Sequence, residues 1–197
     1  MVPGTDPRES VAYKIAVQAV PELKDKEVIA VDFPMLKDRE KLRESHRIGA
    51  KLMESYLDKG KNVIFLTLGD STVYCTFTYV QAFLKEDGYE TELVNGITSF
   101  CAAAARLNIP LAEWDEPVHI LPAVHECDEC FDLDGNYVLM KSGSRMKEFK
   151  EKLDASGRDI KAVVNCGMDG EEVYRNADEL PDETGYFTLL ISKRKNS

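Results

Sequence analysis

The sequence predicts an α/β fold in two domains, with a parallel sheet in the first and a mixed sheet in the second. Three observations predict it. Apolar, β-prone runs alternate with amphipathic helical stretches through the first half. Two of those runs end in a glycine followed closely by hydroxyl residues and a new helix, at Gly69-Asp70-Ser71-Thr72 and at Gly96-Ile97-Thr98-Ser99. Near the end of the chain, three apolar runs succeed one another with no long helix between them, which a purely parallel sheet does not allow.

Taken in order, residues 10–20 read as a short helix with apolar Val11, Ile15 and Val17, stopped at Pro21. Residues 27–33 contain the strand-forming run Val28-Ile29-Ala30-Val31. A long helix spans 38–57, where Leu42, Ile48, Leu52, Met53, Tyr56 and Leu57 fall near a 3.6-residue stripe and Gly60 lies past the end. Residues 62–68 (NVIFLTL) form a nearly continuous apolar run, the pattern of a strand covered on both faces. A helix over 72–85, a turn at Asp87-Gly88, a short strand over 90–94 and an alanine-rich helix over 98–106 follow.

Residues 110–117, bounded by Pro110 and Pro117, read as a hinge that divides a domain of residues 1–112 from one of residues 113–197. Beyond it the strands are 118–121 and 137–140, then a helix over 144–153, then strands over 160–165, near 172–175 and over 186–192. No internal repeat or low-complexity segment interrupts the chain.

Composition excludes several classes. The 197 residues, 44% hydrophobic and 30% charged, are those of an ordinary globular chain. No run approaches the roughly 18 apolar residues of a membrane span, and the start lacks the blocks of a signal peptide, so a cytoplasmic protein without membrane contact is expected. A formal net charge of −10 argues against nucleic acid as a partner. The five cysteines, odd in number and scattered, read as reduced thiols.

The chemistry-bearing features are the two glycine turns. Ligands of open α/β sheets bind outside the carboxyl ends of strands, and glycine lets a ligand approach the backbone. Asp70 or Ser71, and Thr98 or Ser99, would also serve simply as helix caps. Two such turns on consecutive units should lie side by side on one sheet edge. Neither is a dinucleotide or P-loop fingerprint. His125-Glu126-Cys127-Asp128-Glu129-Cys130 lacks the second ligand pair of a zinc site, so no metal is expected. His46 has no companion that suggests catalysis, and His119, in an apolar strand, reads as a satisfied core residue. Lys141, Arg145 and Lys147 flank a helix start as a solvated face or an anion site. There is no nucleophile elbow and no convincing Cys–His pair.

Several stretches together resemble one family. Phe33-Pro34-Met35 with Lys37-Asp38-Arg39, the FLTLGDSTVY core of 65–74, Gly96-Ile97-Thr98-Ser99-Phe100, Ile109-Pro110-Leu111, Leu139-Met140-Lys141, Cys166-Gly167-Met168 and Gly185-Tyr186-Phe187 occur in the order seen in tetrapyrrole methyltransferases. The likeness covers about residues 8–194 and is narrowest to those acting on carbon-20 of precorrin-2 or its cobalt form. It implies a two-domain, homodimeric fold that holds S-adenosylmethionine in an interdomain cleft and methylates precorrin-2 or cobalt-factor II in cobalamin biosynthesis. By position it places Gly69, Asp70, Val73, Thr98, Ser99, Met140, Cys166 and Gly167 at the cofactor. Asp70 becomes the candidate base, and Arg106, Lys141 and Arg145 the candidates for substrate carboxylates.

The chain departs from the family pattern in two ways. Family members begin with a further strand, a G-x-G-P-G-D-P turn, a helix and a second strand, whereas Met1 opens near the loop after that second strand. Ser71 stands where the family has proline. The alternative expectation is therefore a non-catalytic relative that only binds ligand or dimerises; a sister enzyme acting at another ring carbon is the third.

Overall fold

The computed structural model describes residues 1–123 and 129–194 and divides into two compact units, Met1–Gly96 and Ile97–Ser197. The first unit opens with β1 (Val2–Pro3), a turn at Gly4 with a φ of 123°, a helix and β2 (Ala30–Val31), which runs parallel to β1 with Val2 beside Ala30; this strand–turn–helix–strand unit corrects the expectation that the chain opens after the second strand. The backbone of Met1 points the other way. Leu66 N–H donates to the Met1 carbonyl at 2.9 Å, and the Met1 ammonium donates to the Ile64 carbonyl. Those two bonds set residues 64–66 parallel to β1 on the side away from β2.

Of the strands expected over 27–33, 62–68 and 90–94, only Ala30–Val31 forms a ladder strand. The strand that 27–33 and 62–68 flank offers only a few residues to pair with. Among the described residues no backbone bond ties 90–94 to another strand. Side chains hold that segment instead: Gln81 Nε2 donates to Thr91 Oγ1 at 3.0 Å, and Ser71 Oγ to the Val94 carbonyl at 2.9 Å.

Helix α1 (Val11–Ala19) stops at Pro21 as expected. Helix α2 (Arg39–Leu57) is capped by Asp38, whose carboxylate accepts from the amides of Glu40 and Lys41 at 3.0 and 3.2 Å. Helix α3 (Phe77–Glu86) begins five residues later than its expected start. Val31, Ala50, Met53, Val80 and Leu84 form the buried core of this unit. Gly49 of α2 is where the helix meets an aromatic ring: an added Cβ would sit 2.8 Å from Phe33 Cε1. His46 is buried against Phe33 and stacked on Tyr79 at 5.1 Å, and burial pushes its pKa down.

The second unit holds helix α4 (Ser99–Leu107), helix α5 (Met146–Ala155) and strands β3 (Val118–Pro122), β4 (Asn136–Met140), β5 (Asp159–Val164), β6 (Glu172–Tyr174) and β7 (Thr188–Lys193). The sheet order is β3-β4-β7-β5-β6; β3 and β4 are parallel and the other pairings antiparallel. This is the mixed sheet that the run of helix-poor strands predicts. Its core is Tyr137, Leu139, Met146, Phe149, Leu153, Ile160, Ala162 and Leu190. His119 is half-buried, its Nε2 is 2.6 Å from the Asp134 carbonyl, and its ring leans on Tyr137. Cys75, Cys101 and Cys166 are free thiols. The His125–Cys130 stretch lies outside the described residues apart from the backbone at its end.

Candidate active site

In the first unit the two glycine turns touch, as the sequence predicts. Asp70, only 8% exposed, joins them. Its Oδ1 accepts from the Thr72 amide at 2.8 Å and from the Thr72 hydroxyl at 2.5 Å, while Oδ2 accepts from the Gly96 amide at 3.0 Å. Gly96 itself packs against main chain: a Cβ there would lie 2.3 Å from the Gly69 carbonyl oxygen. Gly69 takes a positive φ of 68°, the left-handed region that suits glycine.

Asp70 and Ser71 do not cap a helix. Tyr74 has a φ of 49°, which interrupts the chain after the turn and defers α3 to Phe77. Asp70 instead closes a side-chain turn over Thr72, and Ser71 binds the Val94 carbonyl. The hydroxyl and amide of Thr72, then the amide of Gly96, hold the Asp70 carboxyl below the usual carboxylate range. A carboxylate whose contacts are all taken up by donors is a weak proton acceptor. Val73, half-buried, returns its amide to the Asp70 carbonyl at 3.2 Å.

In the second unit, β4 and β5 both run antiparallel to β7, so their carboxyl ends and the start of β7 share one sheet edge. Met140 ends β4 there, half-buried, with its carbonyl accepting from Ala123 N–H at 2.8 Å. Lys141 follows with a φ of 60°, its ammonium 5.5 Å from the Tyr186 ring centroid. Past β5, Asn165 N–H donates to the Phe187 carbonyl at 2.9 Å, which brings Cys166 and Gly167 to the same edge.

Glu171 organises that loop, and sequence reasoning did not find it. Its Oε2 accepts from the Gly167 amide at 2.8 Å, and its Oε1 pairs with Arg106 Nε of α4. The Gly167 amide and then Arg106 pull the Glu171 carboxyl down. Burial first, then the Glu171 charge, pushes the Cys166 thiol up. Arg106, Cys166 and Gly167 are therefore neighbours through one carboxylate. Only the separation of 65 residues between Arg106 and Glu171 hid the pair, since no local spacing marks it.

Thr98 precedes α4 as its cap residue but makes no side-chain capping bond, and its hydroxyl oxygen is buried with no partner among the described residues. Ser99 opens the helix, half-buried. Arg145 is engaged elsewhere: it pairs with Glu148 and lies 4.7 Å from the Phe149 ring centroid. Lys147 faces Asp182 at 3.9 Å, the solvated-face arrangement. Among the described residues no helix is long and apolar enough to cross a membrane, and no group of three His, Cys, Asp or Glu side chains could hold a metal.

Fold and site define an α/β protein whose backbone-rich turns at strand ends suit a small ligand. Residues 5–181 match the model of the tetrapyrrole (corrin/porphyrin) methylases, and the chain belongs to that family. It is 36% identical over 197 residues to the probable cobalt-precorrin-2 C(20)-methyltransferase of Methanocaldococcus jannaschii, covering 95% of this chain and 80% of that one. It is 29% identical over 178 residues to the cobalt-precorrin-2 C(20)-methyltransferase of Salmonella typhimurium, covering 85% and 74%. Among solved structures, a cobalt precorrin-4 methyltransferase superposes with a TM-score of 0.68 at 19% identity, over 98% of this chain and 82% of the other. A uroporphyrin-III C-methyl transferase from Thermus thermophilus, complexed with S-adenyl homocysteine, gives 0.59 at 19% identity, over 77% and 69%. Both share the fold.

Proposed function

We propose that this protein is an S-adenosylmethionine-dependent C-methyltransferase that methylates carbon-20 of precorrin-2 or cobalt-factor II in cobalamin biosynthesis. The observation that carries the reading is the Asp70–Gly96 link. It brings two stretches of glycine backbone together, in a chain similar to two carbon-20 methyltransferases.

The residues present fit the methyl donor. The donor carries an amino-acid carboxylate, a ribose and a base, which call for main-chain donors, hydroxyls and close backbone approach. The family resemblance assigns Gly69, Asp70, Val73, Thr98, Ser99, Met140, Cys166 and Gly167 to it. The unpartnered Thr98 hydroxyl is a ready hydrogen-bonding group for such a ligand. When bound, the donor supplies an electrophilic methyl on a positively charged sulfur.

The chain then needs no nucleophile of its own, and its work is to bind and orient. Asp70 serves in this reading chiefly to hold the two turns in register. To take the methine proton it would have to give up the amide or hydroxyl donors that now occupy it. Lys141 supplies positive charge toward substrate carboxylates, while Arg106 and Arg145 would have to leave Glu171 and Glu148 to do so. A homodimer and a cytoplasmic location accompany the proposal.

Incubating the protein with S-adenosylmethionine and precorrin-2, or its cobalt form, tests it. One methyl gained, located at carbon-20 by NMR, is expected. Methylation at a different carbon would move the assignment to a sister reaction. Donor and acceptor both binding without any transfer would favour a non-catalytic relative.

A further inference from the structure

We propose that Tyr186 and Phe187, with Lys141 beside them, form a platform on which the flat face of the macrocyclic methyl acceptor lies. This deepens the methyltransferase reading and rests on it for the identity of the occupant.

The two rings stand edge to face, with centroids 5.2 Å apart, and remain 48% and 39% exposed. Large aromatic side chains are ordinarily buried, so two adjacent ones left in solvent on a strand end need a reason. They are not loose. Gly143 lies so close to the preceding loop that an added Cβ would meet the Gly185 carbonyl at 2.1 Å and the Thr184 carbonyl at 2.6 Å. Thr184 N–H donates to the Gly143 carbonyl at 3.1 Å, and the Thr188 hydroxyl donates to the Gly185 carbonyl at 2.6 Å. The loops after β4 and before β7 are therefore joined main chain to main chain, which fixes the rings in place.

Their position ties them to the site. The Phe187 carbonyl accepts the Asn165 amide, one residue before Cys166, so the aromatic pair sits at the loop assigned to the methyl donor. Lys141 supplies the complement. It holds a left-handed backbone that a lysine adopts at a cost, and its ammonium faces the Tyr186 ring with no carboxylate partner among the described residues. An uncompensated cation over an exposed ring matches a ligand with a flat, partly conjugated body and carboxylate arms. A tetrapyrrole has both.

A fluorescent octacarboxylate porphyrin, followed by anisotropy, serves as the probe, titrated with and without S-adenosylhomocysteine. Binding of S-adenosylhomocysteine is measured separately by calorimetry. Tyr186→Leu and Phe187→Leu should each weaken porphyrin binding about tenfold, while Tyr186→Phe stays within about twofold. Lys141→Gln should weaken it about threefold and flatten its salt dependence. S-adenosylhomocysteine affinity should stay unchanged in all four. Absence of porphyrin binding by the wild type, or leucine variants and Lys141→Gln that bind it as the wild type does, overturns the platform. Wild type that binds porphyrin but not S-adenosylhomocysteine overturns the methyltransferase reading, with the variants still deciding the platform.

Discussion

Each unit of this protein uses a carboxylate to fasten a glycine amide, yet the two fastenings differ in kind. Among the described residues, Asp70 of the first unit bonds only to neutral donors, the Thr72 amide and hydroxyl and the Gly96 amide. Glu171 of the second bonds one neutral amide, Gly167, and one cation, Arg106. The first is buried, shared between two turns and backed by a main-chain contact at Gly69. The second is open to solvent mainly on its cation side, where the Arg106 side chain is more than half exposed while that of Glu171 is 19% exposed. The difference teaches that the first turn pair is a rigid element and the second a tunable one: neutral bonds in a buried site ignore salt, and an exposed ion pair does not.

The largest expected break in that comparison comes from Gly96→Ala. The methyl would overlap the Gly69 carbonyl, and the atoms it meets are all main chain, with no flexible side chain to yield. Overpacking of this kind costs about 1–3 kcal/mol, so the melting temperature should fall and S-adenosylhomocysteine binding should weaken at least tenfold by calorimetry. Next is Asp70→Asn. Its amide keeps an acceptor for Thr72 but sets an N–H₂ group against the Gly96 amide, so donor affinity should fall several-fold. Retention of full affinity would show that the turns hold without the carboxylate.

Smaller effects should follow in the second unit. Glu171→Gln keeps an acceptor for Gly167 and loses the ion pair, so donor affinity should change about twofold and lose part of its salt dependence. Arg106→Gln, which removes the same pair from its other side, should lose the same part of that dependence.

Two checks need no binding assay. The half-buried Cys166 thiol, pushed up by burial and by Glu171, should react with iodoacetamide at neutral pH well after the exposed Cys101. Acid should weaken the first unit through Asp87, which Lys51 and Arg47 hold down at about 2. A depressed folded pKa means stability present above the unfolded value near 3.8 and lost as pH falls toward 2. A melting temperature flat from pH 4 to pH 2 would contradict that assignment.

Much of this was legible in the residues, for identifiable reasons. The strands of the second unit agree with the structure within about two residues at their bounds, because each finds a partner in one continuous sheet. Residues 62–68 and 90–94 are equally apolar or β-prone, but pairing depends on a partner strand, and composition does not report how many residues that partner presents. The contact between the two glycine turns was readable because both follow β-prone runs and precede helical ones in consecutive repeats of the same pattern. The delayed start of α3 was not: aspartate and serine chemistry is the same in a helix cap and in a turn, and only the left-handed Tyr74 tells them apart. Glu171 was invisible because its meaning comes from an arginine far away in sequence. Tyr186 and Phe187 were visible as a motif, but their exposure was not.

The most direct test is calorimetric titration of S-adenosylhomocysteine into the wild-type chain and into Gly96→Ala under identical conditions. The two-turn account predicts one site per chain in the wild type and at least a tenfold loss in the variant. Equal affinity in the two proteins, or no heat of binding in the wild type, would contradict it.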